Sequence, residues 1–435
     1  MTMPGDAAAP ATLRRELGLI DAVGIGLGAV VGAGIYVVTG IAAGIAGPAF
    51  LVGLVIAGVV AAANALSSAQ LAARYPASGG TYEYGYEVLG PRSGFAAGWM
   101  FLASKIAAAG TVAIGLGAYV ELLAPALEAR AIAVGAIVVF TAIHYRGIRK
   151  SSRANLLIVA ASTGALVLFA LLGAPRINPE RFAPFAPNGW AAVLEAAALL
   201  FFAYTGYARI ATLGGEVADP ARNIPRAIII TIAGAIALYL AVAVVAVGTV
   251  GAAALGEGGA PLGVAADAVG GSWLRSVVAA GALAAMLGVI LSQLLGLSRM
   301  AFAMARRGDL PSPLATVHPR FGVPSVALLA VGAVAAVVAA TGSLRAIASA
   351  AAFTILVYYA ITNLAALRMP ERARRYSPIV PWFGLAGCAL LAVSLSPRVV
   401  TTGLATLLAG FLFRAVLHRI SPAGRRDGTG NGSRR

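Results

Sequence analysis

Charge is scarce in this chain of 435 residues: only 11% is Asp, Glu, Lys or Arg, while 60% is hydrophobic. That deficit excludes a water-soluble globular protein, and a mean hydropathy of +0.88 points instead to many membrane crossings. Cysteine is nearly absent. Cys388 stands alone in an apolar run, which excludes an internal disulfide. Histidine is reduced to His144, His318 and His418, too far apart along the chain for a metal motif. Paired aspartates at midplane depth, a His-rich zinc motif and a serine beside a base are all missing, which argues against a membrane-embedded enzyme. The tails are too short for a soluble signalling domain, and no pore-lining ring suggests a channel. The net charge of +16 does not imply nucleic acid, because the basic residues sit in short loops between apolar runs.

What is present is a series of apolar runs. Twelve spans are expected, at 17–46, 48–72, 94–123, 131–148, 155–173, 190–213, 227–250, 273–304, 323–340, 347–367, 379–395 and 399–417. The first is too long for a signal-peptide core and lacks a polar cleavage region, so it is expected to be retained. With the N-terminus inside, the outward loops hold Arg130, Arg176, Arg181, Arg275, Arg345 and Arg398. Lys105 and Arg209 fall within spans, and the other basic residues fall on inner loops and tails. The densest inner clusters are Arg146/Arg149/Lys150/Arg153 and Arg368/Arg372/Arg374/Arg375. This bias predicts a multi-pass protein of the cell (inner) membrane with both termini cytoplasmic.

Residues 24–36 read Gly-Ile-Gly-Leu-Gly-Ala-Val-Val-Gly-Ala-Gly-Ile-Tyr, in the middle of the first span. Interior glycine weakens a helix. Two readings compete. Gly24, Gly28 and Gly32 have the spacing of close helix packing. Alternatively, the helix is interrupted near 31–34, and its freed N–H and C=O groups line a cavity. Span six favours the interruption, because Ala203-Tyr204-Thr205-Gly206 lies at its middle. Corresponding interruptions in the spans that open two five-helix sets point to an inverted repeat with a site between the halves. The expected fold is therefore an all-α polytopic membrane protein of 12 transmembrane helices, with discontinuous helices 1 and 6. It divides into a tail at 1–16, repeats at 17–173 and 174–367, helices 11–12 with their preceding loop at 368–422, and a tail at 423–435.

Three stretches then look familiar. Gly32-Ala33-Gly34-Ile35-Tyr36 resembles the first-helix motif of the amino acid–polyamine–organocation superfamily, as does Pro76-Ala-Ser-Gly79-Gly80-Thr81-Tyr82 after span two. The most specific match is Phe201-Phe-Ala-Tyr-Thr-Gly-Tyr, running on to Glu216-Val-Ala-Asp219-Pro220-Ala-Arg222-Asn-Ile-Pro225-Arg226. The motifs occur in the family's order over 17–417, and the chain is similar to a bacterial branch related to cationic amino acid transporters. The resemblance implies the sodium–leucine transporter fold and amino acid transport, with no enzymatic activity and no cofactor. It implies that the substrate α-carboxylate meets the backbone amides of Gly32, Ala33 and Gly34. It places the α-ammonium at the carbonyls of Ala29, Val30, Phe202, Ala203 and Thr205, with Tyr204 in the same stretch and Phe202 as an aromatic gate. Free N–H groups at a half-helix N-terminus suit an anion for independent physical reasons.

Neither interruption carries Asp or Glu within one turn, and Ser104 and Ala108 on span three are small, so a neutral amino acid is expected. Glu195, about two turns before Phe202, is the carboxylate that would reverse this. Tyr358, with Tyr359 and Asn363, offers a gate or plain aromatic packing. Asp309, after Arg306-Arg307-Gly308, reads as a solvated or capping charge.

Lys105 lies near the centre of span three, where an ionisable group is costly. The only lysines are Lys105 and Lys150, and unlike arginine a buried lysine can titrate. Lys105 is therefore the proton-coupling candidate, with a structural lysine paired to a carbonyl or to Glu195 as the alternative. The family's usual lysine on the fifth helix falls at Ser162 here, so the usual coupling device is absent. Proton-driven symport leads, with exchange or sodium coupling as alternatives. Sodium is disfavoured because span eight offers only Ser292, although Ser162 and Thr163 supply hydroxyls. The partners expected are an amino acid substrate and the lipid bilayer, with no nucleic acid and no metal. The oligomeric state stays open, a monomer included.

Overall fold

The computed structural model describes residues 17–32, 34–75, 79–147, 152–211 and 217–420. Ala33, the Pro76–Ser78 part of the second motif, Arg149, Lys150, Glu216 and both tails lie outside the described residues. Among the described residues the architecture is helical, with one isolated parallel bridge between Leu17 and Val217. By length and composition, eight helical runs among the described residues are able to cross a membrane, and three shorter apolar helices accompany them.

The first of those runs, Leu19–Arg74, is not one rod. Helix α1 (Leu19–Val30) stops at Val31, whose backbone is extended, and the chain bends through Gly32. It resumes as one wide π-type turn at Gly34–Val38, followed by α2 (Thr39–Ala46). Gly47, at φ 62°, then turns the chain towards α3 (Phe50–Arg74). The helices that follow are α4 (Pro91–Leu123), α5 (Ala129–Tyr145), α6 (Ser152–Gly173) and α7 (Gly189–Phe201). After them come α8 (Pro220–Val250), α9 (Pro261–Arg306), α10 (Ser325–Thr341), α11 (Leu344–Arg368), α12 (Ile379–Ser394) and α13 (Pro397–Ile420). Helix α9 is interrupted at Gly271, which sits at φ 69°.

The sixth span differs from its expectation in degree. It does not uncoil after α7. It tightens into a 3-10 helix at Phe202–Tyr207 before a last turn at Ala208–Ala211. The tighter winding keeps most backbone groups paired. The Thr205 hydroxyl helps by donating to the Phe202 carbonyl at 2.9 Å.

Packing places these irregular segments at the centre. Helix α1 lies against α8 and against the 3-10 segment, α3 lies against α7 and α8, and α4 is clasped by α5, α9 and α11. Many buried positions of α3 and α4 are alanine or glycine, which lets backbones approach closely in a medium where water drives nothing together. The periphery has the opposite character. Leu404, Leu408, Leu412 and Val416 form an i, i+4 row on α13, each more than half exposed. An apolar row of this length is stable against lipid tails rather than water.

Candidate substrate cavity

The two irregular segments face one cavity of about 1120 Å³. Small-molecule pockets run from about 300 to 1,000 Å³, so the space is ample for one small solute. Its floor is backbone-rich: Ala29, Val30, Val31, Gly32 and Gly34 on one side, and Phe202, Ala203, Thr205 and Gly206 on the other. Side walls come from Phe101, Lys105 and Val112 of α4, from Ile158, Val159 and Ser162 of α6, and from Tyr358 and Tyr359 of α11. A stripe of α9 from Ala285 to Arg306 forms the remaining wall, and the mouth is bordered by Tyr75, Glu83, Arg299 and Arg307.

The far end is closed. The Tyr119 hydroxyl donates to the Tyr36 carbonyl at 2.8 Å, and the Tyr36 hydroxyl donates to the Ser162 carbonyl at 2.8 Å. Their rings meet edge to face, 6.0 Å between centroids. Beyond them Arg345, in the first turn of α11, pairs with Glu195 of α7 at 3.4 Å. None of these four side chains reaches deep enough to line the cavity. Glu195 therefore leaves the neutral-substrate reading in place.

Where α1 stops, its last carbonyls lose their helical donors. The carbonyl of Val30 is taken by the hydroxyl of Tyr239, which donates to it at 2.8 Å and also lies 3.4 Å from the carbonyl of Ala203. One buried tyrosine on α8 thus spans both irregular segments. Tyr204 packs beside it, 5.4 Å between ring centroids. The segments also press directly on each other. A β-carbon on Gly34 would collide with Ala203. The floor is therefore closely packed and rich in peptide groups.

Of the residues singled out from the sequence, Ala29, Val30, Gly32, Gly34, Lys105, Phe202, Ala203, Thr205 and Tyr358 line the cavity. Phe202 lines the cavity and is 8% exposed. Tyr358 stands nearer the mouth, packed against Phe101 with 5.3 Å between centroids, and its hydroxyl accepts from the Thr81 N–H at 3.2 Å. Two expectations are corrected. Ser104 is not on the wall: its hydroxyl is turned to α11 and donates to the Ala351 carbonyl at 3.0 Å. Tyr204 is likewise turned away, donating to the Leu54 carbonyl at 3.1 Å. Ala33 lies outside the described residues. Lys105 stands 5.9 Å from the Phe101 ring centroid.

Asp309 is also corrected. It is 1% exposed rather than solvated. Arg414 of α13 pairs with it at 2.9 Å, and the hydroxyls of Tyr82 and Tyr86 both donate to its second oxygen. Burial, and after it the Asp309 charge, pushes the Tyr82 hydroxyl up from its ordinary value. Tyr86 is raised by burial too, with its bond to Asp309 adding to the effect, so both hydroxyls stay protonated and donate. This cluster joins the short helix after α3 and the end of α9 to the last helix of the chain.

Sequence reasoning missed Tyr239, Tyr36 and Tyr119. A usable signal was present: a phenol in the middle of an apolar span must find an acceptor there.

A family model described as amino acid permease matches residues 17–416. An uncharacterized transporter of Mycobacterium tuberculosis is 45% identical over 98% of this chain and 96% of its own length. A branched-chain amino acid permease of Bacillus subtilis is 28% identical over 92% of each chain. A methylthioribose transporter of the same organism is 32% identical over 88% of this chain and 89% of its own.

Proposed function

The chain belongs to the amino acid permease family of the amino acid–polyamine–organocation superfamily, and from that premise we propose that it is a secondary active carrier of a neutral L-amino acid. It is a multi-pass membrane protein and not an enzyme. The carrying observation is the interruption of α1 at Val31 and Gly32 on the floor of a cavity that also holds Lys105. Peptide N–H groups at Gly32 and Gly34 hold the substrate carboxylate, aided by the dipole of the helix that begins there. Carbonyls of Ala29 and Thr205 receive the ammonium, while Tyr239 fixes those of Val30 and Ala203. Alternating access closes the mouth and opens the far end around this fixed floor. Neutral selectivity is supported by a wall on which the only carboxylate among the described residues is Glu83, at the mouth. The name of the branched-chain permease relative agrees with it.

Twelve spans, a five-plus-five inverted repeat over 17–173 and 174–367, and cytoplasmic termini in the cell membrane complete the reading. The mouth then faces the cytoplasm. Lys105 gains and loses the coupling proton. A sodium-coupled or exchange mode is the second reading, and Ser162 and Ser292 on the wall favour it. Both hydroxyls already donate to carbonyls of their own helices, Val159 and Gly288.

Uptake of radiolabelled neutral amino acids into proteoliposomes, with and without an inward proton gradient, tests the proposal. Accumulation is expected to follow the gradient and to be lost in Lys105→Ala and Lys105→Arg. Undiminished accumulation by Lys105→Arg removes the titrating role. Sodium-dependent uptake that ignores pH selects the second reading.

A further inference from the structure

The cavity wall is electrically lopsided. Its charged side chains among the described residues are Lys105, Arg299, Arg306 and Arg307 against one carboxylate, Glu83. That carboxylate is already engaged, 2.7 Å from the Arg307 guanidinium. Arg307 is fixed further by the Tyr86 ring, 4.2 Å below it. Among the described residues, an entering cation therefore meets no carboxylate that an arginine does not already hold.

Position gives these charges their effect. Arg299 and Arg306 are two helical turns apart on α9, on the same stripe as Gly288 and Ser292, and both are exposed. Lys105 lines the wall contributed by α4, one turn beyond Phe101. A solute moving between mouth and floor passes all three. In a cleft with low-dielectric walls one sign of charge focuses the field, and local ion concentrations change by about 10- to 1,000-fold.

Building on the carrier reading above, we infer that Arg299, Arg306 and Lys105 are specificity-determining residues that exclude amino acids with a positively charged side chain. Zwitterions without net charge pass, and their carboxylate is drawn along the arginine stripe towards the floor.

Citrulline and arginine make the sharpest test, since they match in length and shape and differ in side-chain charge. Purified full-length protein is loaded with a radiolabelled neutral amino acid chosen from a panel, and each competitor is titrated against it. Citrulline is expected to displace the label at least about tenfold more effectively than arginine at low salt. The gap should narrow as added salt screens the wall. In Arg299→Gln/Arg306→Gln the gap should shrink at least about threefold. Equal competition by arginine and citrulline in the wild type overturns the inference. So does a gap that the double variant leaves unchanged, because the discrimination then arises elsewhere. Failure of every neutral amino acid in the panel to bind overturns the carrier reading and this inference with it.

Discussion

Gly206 lies so close to Ala29 that a β-carbon built on it would overlap the Ala29 carbonyl. The obstacle is backbone, which cannot swing aside as a long side chain does. Any residue but glycine here forces the 3-10 segment away from the end of α1 and spreads the floor. Overpacking of this kind costs about 1 to 3 kcal/mol. Gly206→Val is expected to weaken equilibrium binding of a neutral amino acid by at least about tenfold while the protein still purifies from membranes. Unchanged affinity would show that the contact between these segments is unrelated to substrate.

Tyr239→Phe removes one oxygen and leaves the ring. The buried carbonyl of Val30 then loses its donor, a loss worth about 1 to 3 kcal/mol. The thermal midpoint in detergent is expected to fall by a few degrees, and substrate affinity should change as well, because the same hydroxyl lies beside Ala203. A lower midpoint with unaltered affinity would make Tyr239 a purely structural residue.

Asp309→Asn keeps an acceptor for Tyr82 and Tyr86 but leaves the Arg414 cation facing a neutral group. The pair is largely buried, so removing one charge is expected to cost about 3 kcal/mol. Thermal unfolding should report it, and Asp309→Asn/Arg414→Met should recover part of the loss. A single variant as stable as the wild type would show that the pair is solvated in the membrane-bound protein.

Much of this arrangement was legible in the sequence, and what was not has physical reasons. Glycines at 24, 26, 28, 32 and 34 marked the end of α1, because repeated loss of helix propensity in lipid needs a purpose. The Ala203–Gly206 stretch marked irregularity but not its kind, since 3-10 tightening and uncoiling call on the same residues. Ser104 was placed by depth alone. One residue along a helix is a rotation of about 100°, and that step separates the wall position of Lys105 from the α11-facing position of Ser104. Asp309 was misjudged because its partners Tyr82, Tyr86 and Arg414 come from distant parts of the chain, and no local pattern reports such a meeting. Tyr239 carried no local sign of its role, because the Val30 carbonyl that it meets lies 209 residues away along the chain.

Peptide groups lining the cavity at the interruption of α1 are proposed to hold the substrate. A cryo-electron microscopy map of the protein saturated with a transported neutral amino acid tests this proposal most directly. Density is expected for the carboxylate within hydrogen-bond reach of the Gly32 and Gly34 amides, and for the ammonium near the carbonyls of Ala29 and Thr205. An amino acid bound elsewhere, with those amides facing only solvent, would contradict it.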